Sequence, residues 1–144
     1  MSALVARPIR PAEEERIIEA ARAVRAHAHA PYSQYAVGAA LLTAAGHVYA
    51  GCNVENATYG ATLCAERSAV AAMVAAGDDA PIACAVVTAG PRPGAPCGIC
   101  RQVLVEFARD MKLVLVAESR RGKMIAKKTT RLARLLPDAF RLDR

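Results

Sequence analysis

Cys64-Ala65-Glu66 and, further along the chain, Pro96-Cys97-Gly98-Ile99-Cys100 restrict the available architectures more than any other segments. One cysteine and a distant Cys-x-x-Cys pair can set three thiolates around a zinc ion, and a tetrahedral metal with three protein ligands keeps its fourth position for water. The fold must therefore bring two separated segments to one point. Glu66, two residues after the first cysteine, can then handle that water's protons. A closed structural site would need a fourth Cys or His. His27, His29 and His47 all lie far from both segments and read as surface or turn residues.

Periodicity supplies the scaffold. Pro11 opens a helix with Glu13, Glu14 and Glu15 in its first turn, where negative charge suits the helix dipole. Ile17, Ile18, Ala21, Val24 and Ala28 recur at helical spacing to about residue 28, and Pro31 stops the helix. Two β-rich runs, 36–43 and 47–53, are linked by Ala44-Ala45-Gly46, short enough to demand an antiparallel hairpin. A loop over 56–60 leads to a helix over about 62–76, closed by Gly77. A buried strand over 82–88, a Pro/Gly loop over 89–96, a helix over about 97–109 and a strand over 112–117 follow. Residues 118–122 are too few for a crossover, so a strand over 123–127 should return antiparallel, before a short helix over 130–136 that ends at Pro137. Helices between strands require crossovers, so the core reads as a largely parallel sheet covered on its faces. The class is α/β: a three-layer α/β/α sandwich around a mixed five-stranded sheet. Both cysteine segments open helices, which turns the positive ends of two helix dipoles on the thiolates and favours their ionisation.

At 144 residues the chain reads as one domain, 1–144, with no repeat and no low-complexity stretch. Its 54% hydrophobic content comes mainly from Ala, Val and Leu, which suits tight packing of helix on sheet. No apolar run approaches the roughly 18 residues of a membrane span, and the first ten residues lack a signal-peptide core, so a cytoplasmic protein is expected. Of five cysteines, Cys52 and Cys84 fall in strands outside the metal pattern and read as buried free thiols, rather than a disulfide, in a reducing compartment. The net charge of +6 includes a basic cluster of Arg120, Arg121, Lys123, Lys127, Lys128, Arg131 and Arg134. No aromatic residue lies among them to stack on bases, so the cluster reads as a solvated face and no nucleic-acid partner is expected.

Beyond the cysteines, Pro31-Tyr32-Ser33, Val37 to Leu42, Gly51-Cys52-Asn53-Val54-Glu55-Asn56-Ala57, Tyr59, Cys64-Ala65-Glu66-Arg67, Pro96 to Val103 and Leu135 to Phe140 form an ordered set. In this set most of the chain resembles the cytidine deaminase family of zinc-dependent, free-nucleoside hydrolases. The resemblance implies one zinc per chain on Cys64, Cys97 and Cys100, with Glu66 taking a proton from the attacking water to ring N3 and another to the departing amino group. It implies substrate contacts at Tyr35, Asn53, Glu55, Ala65, Ala57, Tyr59 and Phe140, and a homotetramer whose neighbouring subunits complete each pocket. Asn53 and Glu55, two apart at a strand end, should share a face, and the family uses these positions for the ribose 3′-hydroxyl. Tyr35 departs from the family's usual Phe, adding a hydroxyl that needs a partner. Arg67 could donate to the ligand sulfurs and offset their excess negative charge. Phe140 reads equally as a local core anchor after Pro137 or as a ring reaching a neighbour.

The expected activity is deamination of cytidine and 2′-deoxycytidine in pyrimidine salvage. A blasticidin S deaminase shares the cysteine and glutamate motifs, but Asn53-x-Glu55 suits a ribose. A nucleic-acid editing deaminase would resemble the chain in charge, yet that branch uses His as its first ligand and a helix in place of the final hairpin. A purely structural zinc module leaves Glu66 and the missing fourth ligand unexplained.

Overall fold

The computed structural model describes residues 6–143. Helix α1 (Pro11–Arg25) is followed by strands β1 (Val37–Thr43) and β2 (Val48–Cys52), helix α2 (Ala65–Ala75), strand β3 (Pro81–Ala89), helix α3 (Gly98–Phe107), strands β4 (Lys112–Glu118) and β5 (Met124–Arg131), and the short helix α4 (Leu132–Leu135). The sheet order is β2-β1-β3-β4-β5.

The central strands are apolar on both faces because both faces are covered. From β1, Ala40 and Leu42 meet Ile17, Ile18 and Ala21 of α1, together with Ala83, Ala85, Val87, Val114 and Val116. The alternate residues Ala39, Leu41, Cys84, Val86, Leu113 and Leu115 face Ala69 and Met73 of α2 and Leu104 and Val105 of α3. This is the three-layer sandwich expected. Two glycines bring the outer layers close. A Cβ on Gly38 would stand 1.9 Å from the Ala21 carbonyl oxygen of α1, and one on Gly51 would stand 2.3 Å from the Ala69 nitrogen of α2.

The sheet is less parallel than the helix-strand alternation suggests. Only β3 and β4 pair in parallel, whereas β1 is antiparallel to both β2 and β3, and β5 returns antiparallel on β4. Both helical crossovers do join co-directional strands, but β1 lies between β2 and β3 and runs against them. The hairpin at Gly46, φ +87°, thus inserts an opposed strand between two that run the same way.

Other boundaries move for local reasons. After Arg25 the coil continues only as tighter three-residue bonds from Ala26 to Ala23, His27 to Val24 and Ala28 to Arg25. Residues before α2 are extended, because Leu63 and Val54 exchange backbone bonds at 2.9 and 2.8 Å. β5 runs to Arg131, where a helix was expected from 130, because Thr130 and Arg131 pair with Leu113 and Lys112.

Candidate active site

β2 and β3 run in the same direction, so the segments leaving their carboxyl ends emerge on one side of the sheet, the usual place for a ligand in an α/β fold. The first segment passes a single 3₁₀ turn, Tyr59–Ala61, and enters α2; the second follows the loop over 90–96 and enters α3. Cys64 is the N-cap of α2 and Cys97 the N-cap of α3, with Cys100 in the first turn of α3. Both helix starts expected from the sequence are therefore present, and their unpaired amides and dipoles meet at the sulfurs.

The Sγ atoms of Cys64, Cys97 and Cys100 all lie within 4.8 Å of one another. Cys64 and Cys97 are 3.8 Å apart, and the Cys100 backbone N–H donates to Cys97 Sγ at 3.5 Å. A hydrogen bond from Cys100, with Arg67 and Cys97 adding to it, draws the Cys64 thiol down to about 5. The same bond, with burial, pushes Cys100 up. A divalent cation among the sulfurs favours ionisation of all three. Arg67 Nη2 donates to Cys64 Sγ at 3.6 Å and to the Thr62 carbonyl at 3.1 Å, while its buried Nε has no partner among the described residues. Holding an incompletely bonded guanidinium there is offset by anionic sulfurs. The donor set thus fits a soft-ligand, four-coordinate ion such as zinc.

Glu66 is 5% exposed. Burial pushes its carboxyl up, and the Cys100 thiol donates to Oε2 at 3.8 Å. Beneath it, Cys84 is fully buried and its thiol is raised chiefly by that burial. Cys52 and Cys84 are both free, as expected, but only Cys84 is buried; Cys52 is half-buried because it ends the edge strand β2.

The structure places the remaining predicted residues in different settings. Asn53 is buried and occupied by backbone, with Oδ1 accepting from the Val37 N–H at 2.9 Å and Nδ2 donating to the Tyr35 carbonyl at 2.8 Å. Glu55 accepts from the backbone N–H groups of Tyr32 and Ser33 at 2.9 and 3.1 Å and from the Ser33 hydroxyl. Both side chains therefore brace the segment that carries Tyr35. Ala65 is fully buried in the apolar core, so its methyl faces packing rather than solvent. Ala57 is exposed, and Tyr59 and Phe140 are 82% and 69% exposed, which removes the reading of Phe140 as a core anchor.

Several supporting residues escaped sequence reasoning. The Tyr35 hydroxyl lies against Gly94, where a Cβ would stand 3.0 Å from it, and the Gly94 N–H donates to the buried Thr88 Oγ1 at 3.2 Å. Arg101 and Gln102 reach from α3 to the C-terminal segment. Both lie in the Pro96 to Val103 run that carries the family resemblance, but nothing in that run signals bonds to a segment more than 30 residues away.

Residues 11–117 match the family model described as the cytidine and deoxycytidylate deaminase zinc-binding region, and the chain belongs to that family of zinc-binding deaminases. It is 41% identical over 126 residues to the cytidine deaminase of Sporosarcina psychrophila, spanning 88% of this chain and 90% of that protein. It is 45% identical over 118 residues to the cytidine deaminase of Mycobacterium tuberculosis, 82% of each chain. The crystal structure of cytidine deaminase from Burkholderia pseudomallei matches with a TM-score of 0.78 at 46% identity, covering 88% of this chain and 98% of that one.

Proposed function

We propose that this protein hydrolytically deaminates cytidine and 2′-deoxycytidine to uridine and 2′-deoxyuridine, releasing ammonia. The observation that carries the reading is a buried carboxylate, Glu66, at the edge of three converging cysteine sulfurs. Relatives named cytidine deaminases, 41% and 45% identical over most of the chain, support it.

Cys64, Cys97 and Cys100 would hold the zinc. Bound there, it supplies the Lewis acidity that makes water a nucleophile near neutral pH. Glu66 takes a proton from the water that attacks C4 and delivers it to ring N3. It then carries the second water proton to the amino group, which leaves as ammonia. Burial suits it to both steps by raising its proton affinity. Arg67 offsets the charge of the sulfurs through its bond to Cys64.

Tyr35 offers an aromatic face to the base, and the Asn53 and Glu55 side chains, which hold its segment, have hydrogen-bonding capacity left for a sugar hydroxyl. Ala65 follows the first ligand and contributes through its backbone. The exposed Ala57, Tyr59 and Phe140 fit a homotetramer in which a second copy covers each pocket. Among the described residues no helix is long and apolar enough to cross a membrane, in keeping with a cytoplasmic enzyme of pyrimidine salvage.

The test is ammonia release by purified protein from cytidine, deoxycytidine, cytosine, cytidine monophosphate, blasticidin S and a cytosine-containing oligonucleotide, each alone. Turnover of the two nucleosides well above the rest is expected. Preference for blasticidin S or the oligonucleotide would overturn the reading, and equal use of free cytosine would remove the sugar-binding role of Asn53 and Glu55.

A further inference from the structure

The three sulfurs are not equally well held. Cys100 is buried, and Cys64 is half-buried with Arg67 against it, but Cys97 is exposed and follows the Pro/Gly loop over 90–96. Packing alone does little to fix Cys97. Arg101, one turn along α3, holds this segment twice. Its backbone N–H donates to the Cys97 carbonyl at 3.0 Å, and its Nε donates to the carbonyl of Pro96, directly before Cys97, at 2.7 Å. The other arm of the same guanidinium, Nη1, donates to the Leu135 carbonyl at 2.9 Å, at the end of α4, where helix carbonyls lack partners. The next residue repeats the link: Gln102 Nε2 donates to the Phe140 carbonyl at 2.9 Å. Leu135, Leu136 and Ala139 pack on the apolar cluster that contains Leu104 and Val105 of α3, so the segment reached by Arg101 is itself anchored.

We propose that Arg101 is a positioning residue that fixes the Cys97 segment against the C-terminal segment, so that the metal-ligand loop and the backbone at Phe140 move as one unit. A planar guanidinium has donors in fixed directions, and here two of them meet carbonyls from segments far apart in sequence. A lysine carries the charge on a compact, rotating group and cannot keep both directions. This inference rests on zinc binding at the three cysteines.

The experiment compares zinc-loaded wild type with Arg101→Leu, Arg101→Lys and two controls. Arg109→Leu alters an exposed arginine beyond the end of α3, and Val114→Ala lowers stability from the far face of the sheet. Zinc release to a colorimetric chelator, Tm, and KM and kcat for cytidine are measured on each. Arg101→Leu should release zinc about tenfold faster or more, in the range known for groups that orient metal ligands, and should raise KM as Phe140 loses its reference point. Arg101→Lys should recover part of both, and the controls should release zinc at the wild-type rate. Wild-type release in Arg101→Leu overturns the proposal, as does equal acceleration in Val114→Ala at matched Tm loss. Should Arg101→Leu fail to fold, unchanged release in Arg101→Lys overturns it. A wild-type chain that binds no zinc removes both this proposal and the metal reading, whereas loaded wild type with indifferent Arg101 variants removes this proposal alone.

Discussion

Glu66 illustrates how burial sets chemistry at a single side chain. Its carboxylate sits among apolar residues and beside a thiol, so it binds a proton more readily than an exposed glutamate. Glu66→Gln keeps the shape and loses the proton exchange, and should retain zinc and fold while turnover falls by about 10²- to 10⁴-fold. Near-normal turnover in that variant would assign the proton transfers elsewhere. Cys64→Ala, Cys97→Ala and Cys100→Ala should each lose metal and activity together, whereas Cys52→Ala and Cys84→Ala should keep full zinc content by elemental analysis. The metal cluster was legible in the sequence because spacing within a helix turn fixes where Cys97 and Cys100 stand, and a motif marks Cys64. Asn53 and Glu55 were legible as polar residues on a loop-facing strand end, but not as braces. Their partners, Tyr32, Ser33, Tyr35 and Val37, belong to another segment, and no local pattern announces bonds across that distance.

At the scale of elements, the first turn of α1 depends on one buried acid. Glu13 accepts from Arg7 and Arg10 side chains and from the Arg10 backbone N–H, and these bonds hold its carboxyl far below its ordinary value of 4.5. A depressed native pKa adds stability that is complete above the unfolded value and is lost as pH falls toward the native one. Thermal melts should therefore show Glu13→Gln less stable than wild type at neutral pH, with the gap narrowing from about pH 5 downward. A gap that stays constant on acidification would mean that the Arg7 and Arg10 pairs add nothing. The glycine contacts separate the layers. Gly51→Ala forces α2, and with it the Cys64 at its N-cap, away from β2; overpacking of this kind costs about 1–3 kcal/mol, and the zinc site should loosen with it. Gly38→Ala presses on α1 instead and should lower Tm with zinc affinity unchanged. Element types were readable from periodicity, and the final antiparallel pair from the shortness of the 118–122 connection. Strand order was not, because the antiparallel place of β1 between β2 and β3 is a choice among pairings that all satisfy the same apolar pattern.

For the whole molecule, the unfinished surface is the informative one. Tyr59, Phe140 and Leu142 are all more than half exposed, an arrangement that buries little unless another copy arrives. Equilibrium sedimentation should show an oligomer, most simply a tetramer, and removal of residues 140–144 should raise KM while zinc stays bound. A fully active monomer would end the shared-pocket reading and leave the zinc chemistry standing. The outer edge of β5 gives no such invitation, since Lys127, Lys128 and Arg131 belong to a strand that would otherwise be open to pairing. The sheet itself has a practical consequence for anyone wishing to evolve this protein. All three sulfurs, Glu66 and Arg101 belong to the α2 and α3 side, and α1 packs on the reverse. Randomised codons in α1 would make a library for expression and heat tolerance, those around α2 and α3 a library for substrate scope, and winners from the two could be recombined with little interference.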